Sequence, residues 1–141
     1  MFNLGAFAII LDEDKRVLLC HRRDYDLWNL PGGGVEKNES PWEAVIREVK
    51  EEIGLEVEIE KVLGLYNKPA KNNLVFSFLC KKIGGKLTLT DEADKIDWFH
   101  LSEIPNNIPE KQRERIFDFF QHSDVVMKNQ SGPSFIESQS N

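Results

Sequence analysis

The sequence has only two cysteines, no long apolar run and no excess of basic residues. Cys20 and Cys80 each end an apolar run that is typical of a strand, where a free cysteine usually packs as a small apolar side chain. Neither has a partner at the spacing of a zinc motif, so we expect no disulfide, no zinc site and no catalytic thiol. No stretch approaches the ~20 apolar residues that cross a bilayer, so no membrane partner is expected.

A basic surface is lacking as well. The net charge is −6, which argues against binding to a nucleic-acid backbone. An anionic substrate must then be held by local cations and by metal.

The apolar run from Leu4 to Leu11 has no basic lead and no small-residue cleavage site, so it favours a strand over a signal peptide and predicts a cytoplasmic protein. The 141 residues suit one globular domain.

The clearest feature that is present is a helix with both ends specified. Ser40 suits the N-cap and forms a capping box with Glu43, Pro41 suits the first helical position, and Gly54 supplies a left-handed stop. Apolar residues at three- and four-residue spacing predict a stripe buried against a sheet: Trp42, Val45, Ile46, Val49 and Ile53.

Three acids share another arc of this helix. Glu48, Glu51 and Glu52 are neighbours at the i, i+3 and i+4 spacing, and Arg47 lies one turn before Glu51 and can pair with it. Their mutual repulsion is tolerable if the acids are solvated, or if hard divalent cations lie among them. Ligands that are all oxygen favour Mg²⁺ or Mn²⁺ over zinc. The helix alone leaves both interpretations open.

The wider spacing resembles the signature of the Nudix hydrolase family, and no position departs from it. The signature begins with Gly33, and Glu39 follows after five intervening residues. After seven more residues come Arg47-Glu48-Val49, and then, each after one further residue, Glu51-Glu52 and Gly54-Leu55. The segments just before and after the glycines are also similar to that family. The resemblance extends from about Leu4 to Gln121.

This resemblance implies a metal-dependent hydrolase that cleaves the pyrophosphate linkage of a nucleoside diphosphate derivative, such as a nucleoside triphosphate, ADP-ribose or a nucleotide sugar. It implies Mg²⁺, with Mn²⁺ as a substitute. The implied ligands are Glu48, Glu51, Glu52 and the carbonyl of Gly33 or its neighbour. The general base stays open between Glu51, Glu48 and Glu92, an acid of the loop Thr90–Asp94 that is similar to the extra glutamate of some family members.

Two alternatives to hydrolysis follow from the same family. One is a catalytically silent Nudix-like domain that binds a nucleotide, but its mark would be a broken signature. The other is a relative that isomerises isopentenyl diphosphate, for which the cysteine-centred context is missing.

For Arg47 we expect a supporting catalytic role, because its pair with Glu51 would hold that carboxylate in one rotamer.

Three cations are candidates for substrate binding. Arg22 and Arg23 follow a predicted strand, and either a guanidinium fork on a substrate phosphate or a solvated strand end explains them. Lys68 lies in the polar connection from Asn67 to Asn73, which is either a specificity loop or a plain surface turn.

The rest of the pattern predicts an α/β fold, in which a mixed sheet lies between the signature helix and a C-terminal helix. The predicted elements are a hairpin of Gly5–Leu11 and Val17–His21, strands Leu55–Tyr66, Leu74–Lys82, Lys86–Thr90 and Ile96–Leu101 with a turn at Gly84-Gly85, and a helix Pro109–Gln121 that buries Ile116, Phe117 and Phe120. We expect a domain over residues 1–122, a polar tail over 123–141 that either is flexible or packs on the domain or a neighbour, and a monomer or homodimer.

Overall fold

The computed structural model describes residues 2–132, which contain eight strands and two α-helices. In chain order these are β1 Asn3–Ile10, β2 Val17–Arg22, β3 Trp28–Asn29, β4 Gly32–Gly34, α1 Pro41–Ile53, β5 Leu55–Lys68, β6 Asn73–Gly85, β7 Ala93–Phe99, α2 Glu110–Gln121 and β8 Val126–Asn129. Two 3₁₀ turns, Pro69–Lys71 and Leu101–Glu103, complete the described elements.

The strands form two sheets. The larger is mixed and has the order β4-β1-β6-β5-β8, and the smaller is antiparallel with the order β3-β2-β7. Strand β1 pairs in parallel with β6 and antiparallel with β4, so the glycines of β4 lie beside β1 at one edge of the larger sheet. A mixed sheet combined with two helices confirms the predicted fold class.

Alternating side chains bury the sheets against a different helix on each face, as the two-residue period of a strand requires. The cluster on the α1 side includes Ala6, Ala8, Ile10, Leu18, Cys20, Ala44, Val45, Val49, Ile53, Leu55, Val57, Phe78 and Cys80. The cluster on the α2 side includes Ile9, Val17, Leu19, Leu30, Ile104, Ile108 and Ile116. The sheets therefore lie between the two helices.

The predicted hairpin between β1 and β2 is wrong. A single bridge, Leu11 to Val17, joins the two segments, because β1 continues into the larger sheet and β2 into the smaller one. The turn between them is closed locally instead. Arg16 donates from its backbone and its Nε to the Asp12 carboxylate, at 2.8 and 2.7 Å.

The predicted strand Lys86–Thr90 and its turn at Gly84-Gly85 are also wrong. Both glycines belong to β6, and residues 86–90 are irregular. The backbone NH of Thr88 donates to the carbonyl of Ile53 at 2.9 Å, so this segment satisfies the end of α1 rather than a neighbouring strand. The hairpin of β5 and β6 turns at Pro69–Lys71.

Helix α1 has the predicted caps but a different buried face. Ser40 and Glu43 form both hydrogen bonds of the capping box, and Gly54 has a φ of 80°. Trp42 and Ile46, however, are exposed. The helix is turned so that the side carrying Ala44, Glu48 and Glu52 approaches the sheets, which leaves Trp42 and Ile46, at one edge of the predicted apolar stripe, in solvent.

The C-terminal region differs from its prediction on α2, and part of the predicted tail packs on the domain, which was one of the alternatives. On α2, Phe119 packs in the core cluster with Ile116 and Phe120, in place of the predicted Phe117. Beyond α2, β8 lies within the predicted tail and pairs in parallel with β5. Residues 133–141 of that tail lie outside the described residues, and the boundary at residue 122 stays a prediction.

A small polar cluster fixes β8 and α2 to β5. Tyr66 donates its hydroxyl to Asp118 at 2.9 Å, and Lys128 of β8 contacts the same carboxylate at 2.9 Å. Asp118 is buried, so its charge requires these partners.

None of the helices in the described part of the chain is long and apolar enough to cross a bilayer.

Two isoleucines of α1 test the observed orientation. Ile53 is 0% exposed and Ile46 is 38% exposed. We expect Ile53→Ala to lower the free energy of unfolding by about 2–5 kcal/mol, because it opens a cavity. The matched Ile46→Ala should change it by about 0.5 kcal/mol or less. Urea unfolding followed by circular dichroism compares the two variants, and equal losses would show that the helix faces the sheets as the sequence predicted.

Candidate active site

Three carboxylates from two parts of the chain meet at one point. Glu48 and Glu52 come from consecutive turns of α1, and Glu92 comes from the loop that leads into β7. One oxygen from each lies within 4.8 Å of the others. Because three like charges repel at this distance, the group is costly unless protons or a cation neutralise part of the charge.

Glu52 is the member most affected by its surroundings. It accepts hydrogen bonds from the backbone NH of Gly32 at 2.8 Å and from the Cys20 thiol at 3.4 Å. Burial, with Glu48 and Glu92 nearby, nevertheless raises the pKa of Glu52 to about 8. Burial also raises the pKa of the Glu48 carboxyl, although Arg47 opposes this shift. The site therefore resists carrying its full negative charge.

Gly33 lies directly against this group. A Cβ at Gly33 would be 2.9 Å from the carboxyl carbon of Glu48, which is closer than side-chain atoms approach one another. A residue with a side chain would displace Glu48. The glycine thus allows the backbone of β4 to approach the carboxylates, and the ligand role of its carbonyl stays a prediction.

Arg47 connects the carboxylates to the loop that precedes α1. Its Nε and Nη2 donate to the two oxygens of Glu39 at 2.7 and 3.0 Å, and its Nη1 donates to Glu48 and Glu51 at 3.1 Å each. The predicted pair with Glu51 is confirmed. Nη2 also donates to the carbonyl of Gly34 at 3.2 Å, so one guanidinium holds helix, loop and β4 together.

Glu51 does not belong to the group of Glu48, Glu52 and Glu92. Its side chain is 52% exposed, and its partner is Arg47. Its predicted roles as metal ligand and as general base remain predictions. Glu92, the candidate base from outside the helix, does lie in the group.

The loop that carries Glu92 is fixed at its start by Thr90. The Thr90 hydroxyl donates to the carbonyl of Glu52 at 2.7 Å and accepts from the backbone NH of Glu92 at 3.2 Å. Arg23 donates from Nε to the Thr90 carbonyl at 2.7 Å. Arg23, predicted to bind substrate, thus already supports this loop.

The end of the same loop is fixed by a buried histidine of β2. His21 contacts Asp94 through Nδ1 and Asp26 through Nε2, both at 2.8 Å. Burial lowers the pKa of His21, but the hydrogen bonds to the two carboxylates outweigh this and the net direction is upward. A histidine with an acid at each nitrogen thus joins the start of β7 and the loop after β2 to one strand.

Two adjoining cavities open beside the carboxylates. The smaller, about 510 Å³, is lined by Glu48, Glu52, Glu92, Arg22 and Arg23 among others. The larger, about 850 Å³, is lined mainly by β1, β4 and the start of α2, and it includes Lys68. Both cavities share the residues Phe7, Arg22, Asn29, Gly33 and Gln112.

All three predicted substrate-binding cations therefore lie on these cavities. Arg22 is on both, and its guanidinium is held by Asp24 through two hydrogen bonds of 2.7 and 2.6 Å. Arg23 lines the smaller cavity and Lys68 the larger one. Their contact with substrate stays a prediction.

Several residues that shape the site had no functional signal in the sequence. Cys20 was predicted only to be buried, yet its thiol donates to Glu52. Gln112 of α2 donates to the Asn29 side chain at 3.1 Å and accepts from the backbone NH of Leu30 at 2.7 Å, which fixes the strand entering the glycine loop. A contact over more than 80 residues of chain has no local sequence pattern that predicts it.

Comparison with known proteins agrees with this geometry. The chain is 28% identical over 136 residues to a MutT-like protein of Streptomyces ambofaciens, covering 96% of this chain and 88% of that one. It is 35% identical over 103 residues to an ADP-ribose pyrophosphatase of Methanocaldococcus jannaschii, covering 68% and 61% respectively. The crystal structure of an ADP-ribose pyrophosphatase from Streptococcus suis superposes with a TM-score of 0.73 at 27% identity, covering 92% of this chain and 100% of that one.

The family model of the NUDIX domain matches residues 1–121. That range contains the whole signature from Gly33 to Leu55, the three carboxylates and both cavities' arginines. The chain therefore belongs to the NUDIX family, as the signature predicted, and is a Nudix hydrolase.

Proposed function

We propose that this Nudix hydrolase uses a divalent metal, Mg²⁺ or Mn²⁺, to cleave the pyrophosphate linkage of a nucleoside diphosphate derivative by water attack on phosphorus. Family membership makes it a hydrolase of phosphoric anhydrides. The observation that carries the metal proposal is the group of Glu48, Glu52 and Glu92, whose oxygens lie within 4.8 Å of one another beside a cavity.

The donor set fits a hard divalent cation. All three side chains offer oxygen, which Mg²⁺ and Mn²⁺ prefer, and the Cys20 thiol beside them is kept protonated because burial and Glu52 raise its pKa. A cation would also stabilise the charged form of Glu52, whose pKa is raised by burial and further by the charges of Glu48 and Glu92. When bound, it would neutralise charge on the phosphate oxygens, orient the attack and make water a better nucleophile.

The side chains of this chain have distinct roles in the proposal. Glu48 and Glu52 hold the cation with the carbonyl of Gly33, and Arg47 keeps Glu48 and Glu51 in fixed rotamers. Glu92, Glu48 or Glu51 takes the proton from the attacking water, a step that typically contributes about 10²–10⁴-fold. Glu92 is favoured because its loop carries it into the group from outside the helix.

The substrate is proposed to span the two cavities. Its pyrophosphate would lie in the smaller one, near Arg22 and Arg23, and its nucleoside in the larger one, near Lys68. The relatives from M. jannaschii and S. suis are named as ADP-ribose pyrophosphatases, which supports a nucleotide with a second group on its diphosphate. We further propose a cytoplasmic monomer or homodimer without a nucleic-acid or membrane partner.

A substrate panel tests the proposal directly. Nucleoside triphosphates, dinucleoside polyphosphates, ADP-ribose, NADH and nucleotide sugars would each be incubated with the protein and Mg²⁺ or Mn²⁺, and the products separated. We expect hydrolysis of at least one class, and none after chelation with EDTA. Binding without turnover of any member would favour the silent nucleotide-binding domain.

The first site prediction concerns Glu52→Gln. The amide is neutral and a poorer metal ligand, so we expect the fold to persist and most of the kcat to be lost, even at saturating Mg²⁺. The matched control is Glu58→Gln on β5, an exposed glutamate away from both cavities, which should behave as wild type. Near-normal turnover of Glu52→Gln would remove this residue from the site.

The second site prediction concerns Arg47→Ala. Loss of the guanidinium frees Glu48 and Glu39 to move, so we expect activity to fall by about 10–100-fold, as is typical for residues that hold metal ligands. Lys50→Ala, one turn along α1 and exposed, is the control. Thermal unfolding measured in parallel separates the roles, because a loss of activity that only follows the loss of stability would make Arg47 structural.

The third site prediction concerns pH and Glu92→Gln. Below the Glu52 pKa of about 8, protons compete with the cation, so Mn²⁺ affinity should weaken as pH falls. Removing the charge of Glu92 lowers the pKa of Glu52, so the weakening should begin at a lower pH. Calorimetric titration with Mn²⁺ between pH 6 and 9 measures this, since that range brackets the shifted value. Superimposable curves and kcat–pH profiles for variant and wild type would exclude Glu92 from the site.

A further inference from the structure

Arg115 of α2 is a buried arginine in an apolar setting. It is 3% exposed, and its guanidinium carbon lies 5.0 Å from the ring centroid of Phe7 and 5.8 Å from that of Tyr66. Within residues 2–132, its side chain makes a hydrogen bond from Nε to the carbonyl of Lys111, at 3.1 Å. The two rings and this bond hold the guanidinium plane in one place.

The terminal nitrogens of this guanidinium are not satisfied by the described chain. Nη1 is fully buried and has no hydrogen-bond partner, and no carboxylate among residues 2–132 forms an ion pair with Arg115. Burial lowers the pKa of Arg115 to about 10. An unpaired buried donor on a charged group is among the costlier features a fold retains, which points to a partner outside residues 2–132.

Arg115 also lines the larger cavity. The lining of that cavity also includes the apolar side chains of Leu4, Phe7 and Val75, and the cavity shares lining residues with the one that holds the carboxylates. A flat apolar ring suits such walls. A ring that also carries a hydrogen-bond acceptor would meet a guanidinium whose terminal nitrogens make no hydrogen bond within residues 2–132.

The chemistry of arginine restricts that acceptor. A guanidinium only donates, so it pairs with a ring carbonyl and cannot pair with an exocyclic amino group. Guanine presents O6 and N7 as acceptors, whereas adenine presents an amino donor beside N7. Uracil and thymine likewise carry a carbonyl where cytosine carries an amino group.

We propose that Arg115 makes this enzyme select nucleotides whose base carries a carbonyl at the 6-position of a purine or the 4-position of a pyrimidine, with the base in the larger cavity and that carbonyl oxygen accepting from the Arg115 guanidinium. The inference rests on the proposed function, since it assumes that a nucleotide binds with its diphosphate at the carboxylates. A purely structural Arg115, stacked between Phe7 and Tyr66, predicts no such selectivity.

Two pairs of substrates isolate the carbonyl. ITP and ATP differ at the 6-position of the purine, and UTP and CTP differ at the 4-position of the pyrimidine. We expect kcat/KM to be higher for the carbonyl member of at least one pair, by roughly 10-fold or more, the size of discrimination that a good arginine–base contact gives. The purine and pyrimidine pairs also show which ring the cavity accepts.

Variants of Arg115 then assign the preference to this residue. Arg115→Met keeps the length and apolar stem but removes every donor, and should bring the ITP/ATP or UTP/CTP ratio close to one. Arg115→Lys keeps one cationic donor and should retain part of the ratio. Arg113→Met is the control, because Arg113 lies on the same helix and contacts the carbonyl of Pro105 outside the cavity.

The outcomes separate this inference from the proposed function. No hydrolysis of any nucleotide by the wild type would overturn both. Hydrolysis with equal kcat/KM within each pair, or a preference for ATP or CTP, would overturn the selectivity alone. If Arg115→Met does not fold, the kcat/KM ratios of the wild type and of Arg115→Lys still test the selectivity, because Arg115→Lys should retain only part of the wild-type ratio. A ratio unchanged in a folded Arg115→Met, with lower stability, would make the arginine structural.

Discussion

The crowding of Glu48, Glu52 and Glu92 is the constraint on which the surrounding structure depends. Three carboxylates approach one another only when other groups hold them, and the chain supplies these groups from four directions. The Gly32 NH and the Cys20 thiol reach Glu52, and Arg47 reaches Glu48. Thr90 ties the loop of Glu92 to the backbone of α1. Much of the local architecture thus serves to keep like charges together.

The orientation of α1 follows from the same constraint. A helix that buried its most apolar arc would place Trp42 and Ile46 against the sheets and direct Glu48 and Glu52 to solvent. The observed helix leaves those two apolar residues exposed and brings the acids inward. Apolar periodicity predicts the orientation that maximises burial, so it fails where the position of charged groups matters more than apolar area.

The parts predicted correctly are those fixed by neighbours in sequence. The caps of α1 and the pair of Arg47 with Glu51 depend on residues within one or two turns, and the family signature spans one loop and one helix. The partition of β1 and β2 into different sheets, and the contacts of Gln112 and Arg115 with the cavity, depend on residues far apart in the chain. No local sequence pattern predicts those pairings, so they become visible only in the folded chain.

Strand β8 has a consequence for how the domain behaves on its own. It pairs with the long strand β5, and Lys128 holds it to Asp118 of α2. A chain shortened to residue 121, where the family match stops, would leave residues 64–67 of β5 as an open sheet edge with unpaired backbone groups, a template for association with other chains. The four residues of β8, one of them Lys128, cover this part of the edge, so the protection of β5 depends on a segment beyond the range that the family model matches.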